Sequence, residues 1–162
     1  MTATNNITRM LDSRKIKYTA FDLPAEKLGA VESARMMNVP VDLVYKTIVV
    51  LREKPKKPVL AVVPGNTEVD LKALATALGE KKVHLPTERE AEILTGLQAG
   101  GISPLALLNK GFQVVLDASA SDHIEIHISG GQRGLNIRLP VTDLIKLVNA
   151  RIAKIATIVD ID

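Results

Sequence analysis

Lys46 stands at the mouth of an apolar run, Val44-Tyr45-Lys46-Thr47-Ile48-Val49-Val50. Drawing an ammonium group out of water costs free energy, so a strand that feeds a core has little use for one. Two readings stand. The lysine is a surface residue whose stem lies along a strand end, or the strand presents positive charge to a site that needs it. Two glycine-rich stretches offer a second kind of chemistry. In Gly100-Gly101-Ile102-Ser103-Pro104 the glycines let backbone come close to a ligand, and Pro104 stiffens the exit. In Ser129-Gly130-Gly131-Gln132-Arg133-Gly134 a hairpin turn is the simplest role, with Arg133 and nearby N–H groups open to anion contact.

Other candidates are weaker. His123, Glu125 and His127 alternate along one face of a strand. Zinc takes such ligands, but residues two apart on a strand are about 6.5–7 Å apart, and a metal needs ligands converging from several elements. The polar outer face of an amphipathic strand is the better account, with Ile124, Ile126 and Ile128 turned inward. No metal or other cofactor is expected. Ser103 and Ser129 carry hydroxyls, yet neither lies in a G-x-S-x-G elbow, and no histidine is placed beside either one.

Composition narrows the partners. The chain has 162 residues, 46% hydrophobic and 24% charged, enough for one domain with its own core, expected over residues 1–162. It has no cysteine, which excludes disulfides and a protein-supplied thiol nucleophile. No apolar run reaches the roughly 18–20 residues that span a bilayer, so no membrane partner is expected. The first ten residues, MTATNNITRM, lack the apolar segment of a secretory signal, so a cytoplasmic location is expected. Aromatics are only 2% (Tyr18, Phe21, Tyr45 and Phe112), too few for a base-stacking platform. The net charge of +3 permits weak phosphate contact. Arg52, Lys54, Lys56 and Lys57 make the most basic loop, read first as a solvated hairpin tip.

The elements that must position these residues follow from period and punctuation. Asn5 or Asn6 caps a helix bearing Ile7, Met10 and Leu11 on one face. YTAFDLP is extended, and AVESARMMNV is a helix stopped before Pro40. KTIVVLR and PVLAVVP read as a strand pair joined through EKPKK. Asp70 caps a helix striped with Leu71, Leu74, Ala75 and Leu78 and ended by Gly79. Thr87 and Glu90 form a capping box for another. QVVLDAS, HIEIHIS and LNIRLPV are strands, the last two joined by SGGQRG. A helix with Leu144, Ile145 and Val148 follows, and the tail IAKIATIVD reads as a strand. Hairpins outnumber βαβ units, which predicts an α+β domain: a mixed, mostly antiparallel sheet curling towards a barrel, with helices around it.

VYKTIVV, DLKALATALG with KKVHL, GGISPLAL, and ISGGQRGLNIRL occur in this order. Together they closely resemble the YbaK/EbsC family of aminoacyl-tRNA deacylases, relatives of the editing domain of bacterial prolyl-tRNA synthetases. The resemblance runs from about Ile7 to Ile155. It implies removal of a wrong amino acid from misacylated tRNA, most closely as in the Cys-tRNA(Pro) branch. There the substrate's own thiol attacks its ester and leaves as a thiolactone, so the protein needs no nucleophile and no cofactor. The resemblance also implies residue roles. Lys46 matches the family's key lysine, with Thr47 beside it. Gly100, Gly101, Ile102, Ser103 and Pro104 match the loop whose backbone lines the aminoacyl pocket. Ser129, Gly130, Gly131 and Arg133 match the segment at the pocket rim. Asn136 stands where these enzymes commonly carry aspartate, and only Phe21 stands near where they tend to carry a tyrosine. These departures bear on which amino acid is removed. The partners implied are the 3′ aminoacyl end of tRNA and prolyl-tRNA synthetase, which would choose the tRNA. Two other readings remain: a hydrolytic deacylase of Ala- or another aminoacyl-tRNA, and a non-catalytic binder of an aminoacyl-adenosine or nucleotide.

Overall fold

The computed structural model describes residues 5–53 and 57–158; Lys54 and Lys56 of the basic loop lie outside them. Among the described residues, five short helices and ten strands follow the chain as α1 (Asn6–Ser13), β1 (Thr19–Asp22), α2 (Ala30–Met37), β2 (Tyr45–Arg52), β3 (Val59–Pro64), β4 (Thr67–Val69), α3 (Leu71–Leu78), β5 (Val83–His84), α4 (Glu88–Thr95), β6 (Gln113–Asp117), β7 (Glu125–Ser129), β8 (Leu135–Pro140), α5 (Val141–Val148), β9 (Arg151–Ala153) and β10 (Ala156–Ile158).

The helix ends obey local chemistry. Asn5 accepts from the Thr8 N–H while Thr8 Oγ1 accepts from the Asn5 N–H, a closed capping box for α1. Asp70 accepts from the Ala73 N–H, and α3 ends on Gly79 in the left-handed region, at φ +70°. Thr87 and Glu90 cap α4 reciprocally. Such caps are each worth about 1 kcal/mol. Helices this short are marginal alone, so burial of one face holds them. Leu11 of α1 and Leu74 of α3 are fully buried.

The main sheet has the order β5-β2-β3-β6-β9. β2 and β3 pair antiparallel, with Lys46 opposite Val63 and Thr47 opposite Val62. β3–β6 and β6–β9 are parallel, so the sheet is mixed. One face carries Tyr45, Val49, Leu60, Val62, Val114 and Leu116 into the larger core, shared with α1, α5 and a second sheet. The other carries Val50, Val59, Ala61, Val63 and Val115 against Leu74 and Ala75 of α3. The second sheet, β1-β8-β7, is antiparallel throughout, and β4 pairs with β10 separately. The two larger sheets meet at the parallel bridge Val44–His127. They curl towards each other there without closing into a barrel. The tail forms two short strands, β9 and β10, where one was expected. Asp117 divides that region: its buried carboxylate accepts from the N–H groups of Ile155 and Ala156 at 2.9 and 3.0 Å.

Ile126 and Ile128 are buried as expected, but two neighbours depart from the expected alternation. Ile124 was to be buried and His127 exposed, but Ile124 is 87% exposed and His127 only 1%. The strand begins at Glu125, so Ile124 lies in the preceding turn. β7 is also covered on both faces: Ile126 and Ile128 enter the core, while the His127 side packs under Phe21. Among the described residues no helix is long and apolar enough to cross a membrane.

Candidate active site

A cavity of about 380 Å³ opens between the two larger sheets, α2 and α4. Its floor is the first half of β2: Val44 through Val49 all line it. β3 pairs with one edge of this strand along its length, but β5 covers only Leu51 and Arg52 on the other. Among the described residues, positions 46–49 therefore have no strand partner on that side, and main-chain groups help to form the wall.

Side chains alternate across β2, so Lys46 and Thr47 leave the strand on opposite faces. Lys46 shares its face with Ile48 and Val50, and its ammonium reaches the Gly65 carbonyl oxygen at 3.4 Å. Burial pushes its pKa below the usual lysine value, and the charge of Glu68 partly offsets that effect. Thr47 shares the face of Tyr45 and Val49. Its hydroxyl is buried and has no hydrogen-bond partner among the described residues. Tyr45 is pushed up to about 12 by burial and shares a 2.7 Å hydrogen bond with Ser119, so it stays a neutral phenol.

Gly65 is a residue that the sequence reading missed. Its N–H donates to the Val44 carbonyl at 2.7 Å, and any Cβ would overlap the methyl of Ala30. Absence of that atom lets the start of α2 lie over the cavity. Gly29, the N-cap of α2, gives no side-chain cap, and Leu28, Gly29 and Ala30 all line the wall. Free N–H groups of a first helical turn favour negative charge. The half-exposed Lys27 and Glu88 form an ion pair that joins the loop before α2 to the first turn of α4.

The two glycine-rich loops converge. They do so backbone to backbone. A Cβ on Gly101 would stand 2.9 Å from the Gln132 Cα and 3.1 Å from the Arg133 nitrogen. Arg133 Nε donates to the Ala99 carbonyl at 2.7 Å and clamps one loop on the other. Asn5 Nδ2 donates to the Gly130 carbonyl at 2.8 Å, tying α1 to the same junction.

The expected site residues thus divide. Lys46, Thr47, Gly100, Ile102, Ser129 and Asn136 line the cavity. Gly101, Ser103, Pro104, Gly130, Gly131 and Arg133 stand behind it as support. Ser103 is fully buried and accepts from the Leu105 N–H, capping a 3-10 helix that starts at Pro104. Its hydroxyl serves the loop. Ser129 Oγ accepts from the Gly131 N–H at 3.2 Å. Among the described residues, no hydroxyl in the wall shares a hydrogen bond with an imidazole, and Thr87 meets the Glu90 carboxylate only as the capping box of α4, so no nucleophile–base pair is built there.

Nor do His123, Glu125 and His127 assemble. His127 Nδ1 lies 3.0 Å from Asn136 Oδ1, and Glu125 pairs with Arg138 at 3.7 Å. Among the described residues no three His, Asp or Glu side chains group as a metal would require. Burial lowers the His127 pKa; Asn136 and Glu125 raise it, and Arg138 adds to the lowering.

This arrangement offers a desolvated ammonium, main-chain groups and an amide around a small cavity. It can hold a ligand in one pose and stabilise negative charge that develops on it.

Comparison with known proteins points the same way. The family described as the aminoacyl-tRNA editing domain matches residues 25–147. A protein of Enterococcus faecalis named "Putative Cys-tRNA(Pro)/Cys-tRNA(Cys) deacylase EbsC" is 34% identical over 154 residues, covering 94% of this chain and 93% of its own. A structure described as "a putative trans-editing enzyme for prolyl tRNA synthetase" superposes with a TM-score of 0.78 at 25% identity, covering 96% of this chain and 99% of the other. A hypothetical protein of known structure reaches 0.85 at 20% identity, covering 94% and 100%, which shows a shared fold.

Proposed function

Since the chain belongs to the aminoacyl-tRNA editing domain family, we propose that it is a deacylase that strips the wrong amino acid from misacylated tRNA, with Cys-tRNA(Pro) as its substrate. The family match supports reading the chain as one editing domain. The observation that carries the reading is Lys46: a half-buried ammonium, held off water at a cavity whose walls contain no activated nucleophile.

A substrate with its own thiol supplies what the wall lacks. The cysteinyl sulfur attacks the ester carbonyl carbon, the bond from that carbon to the ribose oxygen breaks, and the proton from the thiol ends on the ribose hydroxyl. A thiolactone and free tRNA leave. Charge builds on the carbonyl oxygen and then on the ribose oxygen, and Lys46 with the N–H groups at the start of α2 offsets it. Removal of one such donor costs about 100- to 1000-fold in rate. The modest charge of +3 and the scarcity of aromatic rings favour weak contact with the body of the tRNA. Selection of the tRNA is therefore assigned to a partner, prolyl-tRNA synthetase, and the site of action to the cytoplasm.

Deacylation of Cys-tRNA(Pro) and Ala-tRNA(Pro) by wild type and Lys46→Ala tests the proposal. The expected result is loss of the cysteinyl ester alone, with thiolactone as product, abolished by the substitution. Equal turnover of the alanyl ester would move the chain to a water-using deacylase. Binding of an aminoacyl-adenosine without turnover of either ester would make it a binding protein.

A further inference from the structure

His127, behind the cavity wall and bonded to Asn136 within it, has no part in the chemistry described so far. His127 is 1% exposed and Asn136 6%. They stand on neighbouring strands and one sheet face, since Ser129 is opposite Asn136 and Arg138 is opposite His127. Their side chains meet at 3.0 Å, Nδ1 to Oδ1. With the amide oxygen set towards the ring, as here, His127 is the donor, and a neutral imidazole then bears its hydrogen on Nδ1. The ring is held in place: Phe21 packs on it with centroids 5.2 Å apart, and the Arg138 guanidinium lies 5.5 Å from the Phe21 ring on the same strand set.

The amide of Asn136 is fixed by the same bond. Its oxygen is engaged by His127, its Nδ2 has no acceptor among the described residues, and the residue lines the cavity. We infer that His127 is a positioning residue that locks the Asn136 amide with its NH₂ group donating into the cavity, so that position 136 recognises an acceptor oxygen of the aminoacyl ester and not its ammonium group. The inference rests on the deacylase reading for the identity of the ligand, but the lock itself does not. An aspartate at this position would accept from the ammonium; the locked amide reverses that polarity. The cavity then presents two donors, Lys46 and Asn136, to the oxygens on which charge develops.

The chain has three histidines, so a long-range ¹H–¹⁵N spectrum of the imidazoles, assigned with His127→Asn, reads the tautomer with no substrate present. The Nδ1–H form is expected for His127. The Nε2–H form would overturn the inference, because Asn136 would then donate to the ring and turn its oxygen to the cavity. Kinetics tests the consequence. His127→Leu fills the space without a donor and is expected to lower kcat about 100-fold with KM little changed, the scale of a misplaced catalytic group. His127→Asn, whose amide nitrogen stands near the place of Nδ1, is expected to recover most of that loss. In an Asn136→Ala background the His127→Leu change is expected to cost no more than about twofold; a full loss there would show that the ring only supports the fold, and would overturn the inference. Specificity adds a final arm. N-acetylation of the cysteinyl amine is expected to leave wild-type turnover within about threefold and to slow Asn136→Asp about tenfold or more, the scale of one hydrogen bond to a charged group; the reverse pattern would place the ammonium at position 136. If no aminoacyl-tRNA is turned over, the deacylase reading fails while the spectrum still decides the lock.

Discussion

The Lys46 ammonium lies 3.4 Å from the carbonyl oxygen of Gly65, the residue whose missing side chain lets α2 begin over the cavity. One turn therefore sets two walls of the site. Gly65→Ala is expected to push the start of α2 outward and to cost about 1–3 kcal/mol, the usual scale for forced overpacking. Because the overlap is with the Ala30 methyl, Ala30→Gly in the same chain should restore part of both stability and activity. The remaining contact, 3.0 Å to the Val44 oxygen, keeps the rescue partial. Urea unfolding of the single and double variants measures it; independent, additive losses would contradict the shared wall.

Lys46 itself is expected to serve activity against stability. Burial disfavours its charged form, so Lys46→Met should raise the Tm while it removes about 100- to 1000-fold of the rate. The same depression sets a pH limit. The folded protein loses this proton below 10.5, at a pH where the unfolded chain still holds it. The rate is therefore expected to fall on an alkaline limb below 10.5, while the stability contribution of this group rises with pH in that window. Glu68 props the pKa up, so Glu68→Gln should move the limb further down. A limb unmoved by this substitution would mean that another group titrates.

The apposed loops give a third test. Gly101→Ala puts a Cβ 2.9 Å from one backbone atom and 3.1 Å from another, neither of which can rotate away. It is expected to cost about 1–3 kcal/mol and to lower kcat by displacing Gly100 and Ile102. Arg133→Met keeps the space and loses only the bond to Ala99. Its expected cost is about 1.5–3 kcal/mol, as for a hydrogen bond from a charged group. Thermal melts and deacylation rates on both variants separate the steric role from the clamp.

Local punctuation was the legible part of this fold. Asn5, Asp70, Gly79 and the Thr87–Glu90 box mark helices that stand where the residues put them, because caps act within one turn. β4 and β5 escaped notice, since three and two residues are too few to show a period. β7 was misread on one face. Alternation gives a strand's two sides but cannot say that both are covered, and it began two residues ahead of the true start at Glu125. In the site, Lys46 announced itself as a charge against an apolar run. The glycine loops announced flexibility, yet not which glycines face a ligand. Gly100 lines the cavity while Gly101 presses on the opposite loop. That division, like the His127–Asn136 pair, depends on contacts between segments far apart in sequence, which no local pattern records.

The open edge of β2 has a bearing on how such a site can evolve. Along residues 46–49 the cavity meets amide and carbonyl groups that every residue except proline carries alike. Short of a change to proline, no single codon change can alter that lettering. Variation can act only on the surrounding side chains, and, Lys46 being needed for the reaction, chiefly on Ile102, Ser129 and Asn136. The wall thus separates an inherited grip from an adjustable one. Drift in the adjustable part can exchange one small amino acid for another while the grip on whatever the substrates share stays intact.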